Sequence, residues 1–161
     1  MAKVNPIPKG MHTLTPNLTI KECAKALEFY KRALGAEETR RAMAPDGKSI
    51  WHAELKIGDS IVFANDEMPG GPMHAPDPSK PAPVGMWLYV RDCDAAFDRA
   101  TKAGAKALMP PADMFWGDRC GMVADPFGYT WNFATHVKDM TEEEMRKAGE
   151  EFAKTMKSDC K

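Results

Sequence analysis

The first regular pattern in the chain is an alternation of hydrophobic and polar residues over residues 13–20. Leu14, Leu18 and Ile20 fall on one side, and threonine and asparagine residues fall on the other. Because successive side chains of a strand point to opposite faces, this period of two predicts a strand that is buried on one face. Polar residues therefore line its second face.

A helical pattern follows directly. Hydrophobic residues recur four positions apart at Ala26, Tyr30 and Leu34, and Gly35 stands where a helix is expected to end. The spacing predicts a one-sided helix over residues 22–34.

Three strand-like runs come after this helix, over residues 37–43, 50–57 and 60–65. The last two are joined by Gly58-Asp59, which is typical of a tight turn. The first half of the chain is therefore predicted to be a βαβββ module at residues 13–65, preceded by an N-terminal arm at residues 1–12.

The second half of the chain repeats this pattern. The run Leu18 to Cys23 matches Leu88 to Cys93 at an offset of about 70 residues, and Gly58 matches Gly128 in the same register. Two matches in one register indicate a duplicated module, which we place at residues 84–136. Its predicted strands and helix lie at residues 85–90, 92–103, 105–109, 115–124 and 129–135.

Two segments lie outside the modules. Residues 66–83 contain six prolines and two adjacent glycines, a composition that fits neither a helix nor an interior strand. This segment is either a linker or a lid over a cavity. Residues 137–161 form a tail, in which Thr141 and the three glutamates after it are typical of a helix start.

The tail helix carries an apolar stripe, formed by Met145, Ala148, Phe152 and Met156. Such a stripe must be covered in a folded protein, so the helix packs either on the body of its own chain or on a second subunit.

The composition is that of a globular protein. The chain has 161 residues, of which 43% are hydrophobic, and 22 basic residues nearly balance 23 acidic ones. This balance gives no basic surface for nucleic acid or for an anionic membrane, so we predict neither as a partner. No apolar run approaches the roughly 20 residues of a membrane span or forms a signal core.

The four cysteines, Cys23, Cys93, Cys120 and Cys160, include no CxxC pair. A structural zinc site is therefore not indicated, and free thiols are typical of a reducing compartment. We expect a soluble, cytoplasmic protein.

Two short motifs stand in this arrangement, one in each module. Ala26-Leu27-Glu28-Phe29-Tyr30 lies in the first helix, and Asp125-Pro126-Phe127-Gly128-Tyr129 precedes the last strand. With the paired modules, they resemble the glyoxalase/bleomycin-resistance/extradiol-dioxygenase family, also called the vicinal oxygen chelate superfamily, over residues 13–136. The runs His52-Ala53-Glu54-Leu55, Gly117-Asp118-Arg119 and Ala134-Thr135-His136 look most like its glyoxalase-like bacterial branch.

The resemblance implies an α+β fold. Two βαβββ modules are expected to form curved mixed sheets around a small-molecule cavity, with the helices outside and an additional C-terminal helix. Family members usually build each cavity from two modules, within a chain or across a twofold axis, so the resemblance also implies a homodimer.

The resemblance further implies where a metal ion would bind. The family's metal enzymes take a ligand from the first and the last strand of each module, and helix alignment with counting from Gly58 and Gly128 assigns these positions to Thr15, Val62, Gly85 and Asn132. Valine and glycine side chains offer no donor atom, and divalent ions favour imidazole nitrogen or carboxylate oxygen. We therefore expect no metal or other cofactor at these positions.

If the helices cover the Leu14 and Leu18 face, the opposite face lines the cavity. Alternation assigns to it aromatic, sulfur-containing and polar side chains: Thr15, Asn17, Thr19, Ile50, His52, Glu54, Trp87, Tyr89, Cys120, Met122 and Asn132. This mixture suits an organic ligand, and the alternative is a sheet face that binds nothing. The proposed ligand-binding residues are Thr15, Asn17, Trp87, Tyr89, Trp116, Asp118, Arg119 and Asn132.

His52 and Glu54 are the candidate catalytic residues. They stand two apart on a predicted strand and so point to the same face, where a carboxylate can orient an imidazole as an acid or base. The alternative is a solvated Glu54 and a structural hydrogen bond from His52. Similarly, Asp118 and Arg119 either bind an anionic group through the guanidinium or form a salt bridge that fixes their turn.

The other three histidines are interpreted as solvated, since they lie before a strand, in the proline-rich segment and at the start of the tail: His12, His74 and His136. The sequence lacks the motifs of hydrolases, kinases and dehydrogenases. The favoured hypothesis is a protein that binds a small, partly aromatic organic molecule without the usual metal. The alternative is a lyase, isomerase or dioxygenase of the same superfamily, which uses His52 as acid or base or a displaced metal site.

Overall fold

Each half of the chain folds into a βαβββ module, which confirms the predicted α+β class. The computed structural model describes residues 4–158. The first module comprises β1 (Asn17–Ile20), α1 (Cys23–Leu34), β2 (Glu37–Met43), β3 (Ile50–Ile57) and β4 (Ser60–Asp66). The second comprises β5 (Gly85–Tyr89), α2 (Cys93–Lys102), β6 (Lys106–Asp113), β7 (Asp118–Ala124) and β8 (Thr130–His136), and α3 (Glu142–Ser158) follows.

The two sheets have the same topology. The first has the strand order β1-β4-β3-β2 and the second the order β5-β8-β7-β6. In each sheet the module's first strand pairs with its last strand in parallel, and the other pairs are antiparallel. The sequence repeat is therefore a structural repeat.

Three strand boundaries differ by more than one residue from those predicted. β1 begins only at Asn17, and β6 continues through Pro110 and Pro111 to Asp113. Proline is tolerated there because β6 is an edge strand with irregular register. β7 begins at Asp118 because a turn precedes it, closed by the Gly117 amide, which donates to the Met114 carbonyl oxygen over 3.1 Å.

Local capping explains where the helices begin and end. α1 stops at Gly35, whose φ of 68° lies in the left-handed region. α2 starts at Asp92, whose carboxylate accepts a hydrogen bond from the Ala95 amide. At the start of α3, the Thr141 hydroxyl accepts from the Glu144 amide while the Glu144 carboxylate accepts from the Thr141 amide, which confirms the predicted start signal.

The helices cover one face of each sheet and join the two modules. α1 packs on the first sheet, α2 packs on the second, and α1 and α2 contact each other. Their apolar faces form one continuous core with residues such as Leu18 and Leu55 of the first sheet and Phe133 of the second. The opposite face of each sheet, here called its open face, therefore lies outside this core.

A buried carboxylate joins the modules as well. Asp125, in the turn before β8, accepts hydrogen bonds from the Tyr30 hydroxyl of α1 over 2.8 Å and from the Trp131 indole over 2.9 Å. The Tyr129 hydroxyl donates to the Thr19 carbonyl oxygen of β1 over 2.9 Å. The motif Asp125-Pro126-Phe127-Gly128-Tyr129 thus connects the two modules through hydrogen bonds.

Residues 67–84 cross the outside of the body without a helix or strand. His74 Nδ1 lies 2.9 Å from the Glu67 carboxylate, and Pro76 packs against Gly128. The Asn17 amide, on the open face of the first sheet, lies 3.9 Å from the sulfur of Met73. One stretch of the predicted linker or lid therefore reaches this open face.

α3 contacts the body through one aromatic side chain. The Phe115 ring lies 5.4 Å from the Phe152 ring, and a Cβ atom on Gly149 would be 3.3 Å from Phe115. Met145 and Phe152 are otherwise exposed. The side chain of Met156 lies outside the described residues.

Within residues 4–158, no helix combines the length and the apolar character needed to cross a membrane. Cys23, Cys93 and Cys120 are free and buried, and Cys160 lies outside the described residues. Burial raises the pKa of the Cys23 thiol to about 12.

Candidate functional site

Three aromatic side chains form a cluster on the open face of the second sheet. Trp87 and Tyr89 stand two residues apart on β5 and so share a face, and Trp116 comes from the turn before β7. The Trp87 ring centre lies 6.4 Å from that of Tyr89 and 6.5 Å from that of Trp116. Trp87 is 47% exposed and Tyr89 is 68% exposed, so this aromatic cluster (Trp87, Tyr89 and Trp116) is available for contact.

The Asp118 carboxylate is hydrogen-bonded to two members of the aromatic cluster. Its carboxylate accepts hydrogen bonds from the Tyr89 hydroxyl over 3.0 Å and from the Trp116 indole over 3.1 Å, and it lies 2.7 Å from Nδ1 of His136. The residue is only 3% exposed. Burial by itself would raise the pKa of Asp118, but these hydrogen bonds outweigh it and hold the pKa below its ordinary value. Asp118 is therefore an ionised group that holds three side chains, the exposed Tyr89 and His136 and the partly buried Trp116.

His136 is the member of this site that sequence analysis missed. It is the last residue of β8 and the strand partner of Asp118, and its Nε2 lies 3.1 Å from the Asp139 carboxylate. The hydrogen bonds to Asp118 and then Asp139 raise the pKa of this half-exposed imidazole. The sequence predicted a solvated histidine, and the side chain is indeed half-exposed, but it also contacts the Asp118 carboxylate. Only the register of β7 and β8 reveals this partner.

Arg119 points away from the aromatic cluster. Its guanidinium binds Asp94 of α2, with Nε 2.6 Å from the carboxylate, and Asp113 at 3.0 Å, so it lies on the helix-bearing side of the sheet. Asp118 faces the open side, since the two residues are consecutive in a strand. Arg119 thus forms salt bridges, but with Asp94 and Asp113 and not with Asp118, and the two side chains do not converge on one ligand.

Asn132 lies beside Trp87 in the register of β5 and β8. Its amide nitrogen donates to the Met86 carbonyl oxygen over 3.3 Å, and a Cβ atom at Gly85 would come within 3.1 Å of that nitrogen. The space left by the missing side chain of Gly85 is therefore bounded by the Asn132 amide.

His52 and Glu54 lie on the open face of the other sheet. His52 Nε2 is 3.4 Å from the Glu54 carboxylate, and the His52 ring is 4.7 Å from the Phe63 ring. Glu54 also has Arg40 at 3.7 Å, so it is a paired and mostly buried carboxylate rather than a solvated one. Asn17 belongs to the same open face, and Thr15 precedes β1.

One residue assigned to the cavity, Ile50, lies elsewhere. It is fully buried in the helix-side core, and its amide donates to the Asp66 carboxylate over 2.7 Å. The register of β2 and β3 shifts between Ala42 and Met43, next to this residue. Such an irregularity breaks the alternation on which the assignment rested.

The positions deduced for a metal ion include one on the wrong face. Val62 is buried in the helix-side core, and strand pairing sets Phe63 opposite Asn17, just as Asn132 is opposite Trp87. Phe63, not Val62, is thus the open-face equivalent of Asn132. A phenylalanine ring offers no metal ligand, so the corrected set fits a divalent ion no better. Among residues 4–158, no group of three or more His, Cys, Asp or Glu residues is arranged to hold a metal.

A cleft of about 1160 Å³ runs between the modules. Its lining includes β5 with Trp87 and Tyr89, Thr15, the β3–β4 turn around Asp59, and residues of α2. Two members of the aromatic cluster therefore border this cleft, whereas Trp116 does not line it.

The candidate residues consequently fall into two groups. Trp87, Tyr89, Trp116 and Asp118 come together on the second sheet with His136, whereas His52, Glu54 and Asn17 lie on the first. No strand of one sheet contacts a strand of the other among the described residues, so these groups do not meet in one chain.

Comparison with known proteins agrees with this fold. The family model described as the Glyoxalase/Bleomycin resistance protein/Dioxygenase superfamily matches residues 11–133. The chain belongs to this superfamily, which confirms the resemblance.

Individual proteins are similar to this chain over most of its length. An uncharacterized protein of Mycobacterium tuberculosis is 41% identical over 138 residues, which cover 84% of this chain and 81% of that protein. The crystal structure of TioX from Micromonospora sp. ML1 matches with a TM-score of 0.63 at 27% identity, covering 78% of this chain and 99% of TioX. An Arabidopsis thaliana gene product matches with a TM-score of 0.63 at 28% identity, covering 77% of this chain and 98% of its own.

Proposed function

We propose that this protein binds a small, partly aromatic organic molecule on the aromatic cluster and does so without the metal ion of the superfamily's enzymes. The observation that carries the proposal is the set of three neighbouring aromatic rings, of which Trp87 and Tyr89 are exposed, while Tyr89 and Trp116 are hydrogen-bonded to one buried carboxylate. Exposed rings held rigidly in this way provide contact area for a planar ligand at little cost in side-chain entropy. Binding without a metal ion is supported by the four residues at the positions deduced for one, because their side chains offer few donor atoms: Thr15, Phe63, Gly85 and Asn132.

A second copy of the chain is part of the proposal. Each open face is left uncovered in a single chain, with Trp87 47% exposed on the second sheet and the His52 side chain 36% exposed on the first. A symmetric homodimer in which the His52 face of one copy meets the Trp87 face of the other covers both and encloses the ligand. The three buried free thiols support a cytoplasmic location.

An acid–base enzyme of the same superfamily is the second candidate. It is favoured by the contact of 3.4 Å between His52 and Glu54 on the face that a second copy would supply. Mass spectrometry of each bound compound after incubation separates the two functions, because only an enzyme changes the mass or the isomeric form of its ligand.

Trp87 provides the direct test of the proposed site. We expect a screen of aromatic compounds to find ligands that quench tryptophan fluorescence in the native protein. Trp87→Ala should weaken their binding by roughly 2 kcal/mol, about thirtyfold, since the buried indole area is lost. Trp51→Phe is the matched control, because it changes an exposed indole outside the aromatic cluster.

Titration calorimetry measures the ligand affinities of the native and Trp87→Ala proteins. Dialysis against a chelator beforehand also tests whether binding needs a metal ion. Equal affinities of the Trp87→Ala and native proteins would contradict the site, and binding that disappears on chelation and returns with one divalent ion would contradict the metal-free aspect.

The dimer makes a prediction about assembly. Light scattering at micromolar concentration should give about twice the chain mass of 17.8 kDa. Trp87→Ala and His52→Ala chains, each defective in binding alone, should regain binding after mixing and subunit exchange, because each mixed dimer contains one site with both native residues. A species of single-chain mass, or mixing that restores nothing, would rule out a site shared between copies.

A further inference from the structure

Electron-rich ring faces and negative charge coincide at the aromatic cluster. From this coincidence we infer that its ligand is a planar organic cation, an inference that rests on the proposed function and adds the charge class of the ligand. A cation within about 6 Å of a tryptophan ring centre is attracted by the electron-rich face of the ring. Two of the three rings here are tryptophans, and Trp87 is in contact with both neighbours.

The ionisable groups at the aromatic cluster sum to a negative charge. Asp118 lies beneath the rings, and His136 bridges it to Asp139 over 2.7 and 3.1 Å. Two carboxylates and one imidazole leave a net negative charge in either protonation state of His136. An anionic ligand would be repelled here, and a cation would be attracted.

The basic residues of this part of the chain do not reverse that sign. Arg119 is bound to Asp94 and Asp113 on the opposite side of the sheet. Arg91, two residues after β5, is followed directly by Asp92, and both line the cleft. Arg99 of α2 also lines the cleft, where it donates to the Ala33 carbonyl oxygen over 3.0 Å.

Two lysines lie on the second sheet and in the tail. Lys106 is paired with Ala124 at the far end of β7 from Asp118, roughly 20 Å away at about 3.3 Å per residue. Lys138, next to Asp139, lies 3.8 Å from the Glu144 carboxylate.

The face expected from a second copy adds no net charge either. On the first sheet Glu37 is paired with Lys56, and Arg40 is paired with Glu54. Arg40 and Glu54 approach within 3.7 Å. The sign of the site is therefore set by the carboxylates beneath and beside the aromatic cluster.

Three two-ring probes of similar shape but different charge test this inference. 1-Methylquinolinium is cationic, quinoline is neutral and 2-naphthoate is anionic at neutral pH. We expect calorimetry to show about tenfold tighter binding of 1-methylquinolinium than of quinoline, and still weaker binding of 2-naphthoate. High salt should reduce this preference, because it screens exposed charges.

Charge-removing variants locate the source of the preference. Asp118→Asn should abolish most of the difference between 1-methylquinolinium and quinoline, and Asp139→Asn, at an exposed position with no role in the core, should reduce it several-fold. Asp98→Asn removes the same charge from the exposed side of α2 and is the matched control that should change nothing.

The outcomes separate this inference from the proposed function. Two results would overturn the inference that the ligand is a cation: binding of 2-naphthoate as tight as that of 1-methylquinolinium, or an unchanged preference in both Asp118→Asn and Asp139→Asn. Neither result would contradict a small-molecule site at the aromatic cluster. Failure of all three probes would also overturn the inference of a cation, while the wider aromatic screen with Trp87→Ala decides the proposed function alone.

Discussion

Asp125→Ala is expected to lower the free energy of unfolding by about 4 kcal/mol. One carboxylate oxygen of Asp125 accepts from the Tyr30 hydroxyl and the Trp131 indole, and the other accepts from the amides of Phe127 and Tyr129. Tyr30 and Trp131 are almost completely buried. Removing the carboxylate leaves two buried side-chain donors without partners, and each costs about 1–3 kcal/mol. Because whole domains are stable by only about 5–15 kcal/mol, this loss is severe.

Urea unfolding followed by circular dichroism measures the effect. Asp59→Ala, in the corresponding turn of the first module, is the matched control and should stay within about 0.5 kcal/mol, because Asp59 is exposed. Asp125→Asn keeps one acceptor oxygen and should fall between the native protein and Asp125→Ala. An Asp125→Ala protein within about 1 kcal/mol of the native one would show that the carboxylate does not join the modules.

The pH dependence of stability should carry the signature of the same group. Burial raises the pKa of Asp125 in the folded protein despite its four donors, with desolvation as the largest cause. The folded state therefore binds a proton more readily than the unfolded chain, and stability from this group decreases as pH rises from the ordinary carboxyl value through the raised one. Ionisation of Asp125 thus lowers stability. Removing the side chain still lowers stability further, because the Tyr30 and Trp131 donors are left unpaired.

Much of this fold follows from local sequence patterns. The predicted bounds of β2 and β3 agree with the structure. In β3, the fully buried Ala53 and Leu55 alternate with less buried residues because the sheet is buried on one side. The helices were predicted within one or two residues of their observed ends, since Gly35 and Asp92 are local capping signals.

Strand register was less predictable. β3 and β4 are joined by a turn that pairs Ile57 with Ser60, whereas β7 and β8 are joined by a longer turn that pairs Ala124 with Thr130. Counting residues from Gly58 and Gly128 therefore introduces an error of one residue. In a strand such an error moves a side chain to the other face, which is why Val62 was assigned to the cavity in place of Phe63.

The composition of the site was predictable in part for the same reason. Trp87 and Tyr89 followed from alternation within a single strand. The partnership of Asp118 with His136 depends on how β7 and β8 are paired, and the partnership of Arg119 with Asp94 depends on how α2 packs on the sheet. Neither is a property of one strand or helix, so neither leaves a local signal.

Gly117→Ala is expected to disturb stability and ligand binding together. Gly117 has a φ of 96°, and a Cβ atom there would lie 2.2 Å from the Lys138 carbonyl oxygen. Its own carbonyl oxygen accepts hydrogen bonds from the Val137 and Lys138 amides over 3.0 Å each, so the tail cannot move aside without losing them. Since Trp116 and Asp118 are its chain neighbours, we expect about 3 kcal/mol of destabilisation and at least about tenfold weaker ligand binding.

Gly47→Ala separates the two causes of this effect. Gly47 also has a positive φ, of 65°, but a Cβ atom there meets nothing within 4 Å. It should therefore show only the cost of the backbone conformation, about 1–2 kcal/mol, with unchanged ligand affinity. Fluorescence titration and urea unfolding of both variants measure the difference. If Gly117→Ala behaves like Gly47→Ala in both, the contact between the turn before β7 and the tail does not position Trp116, and the rigidity of the aromatic cluster must come from Asp118 alone.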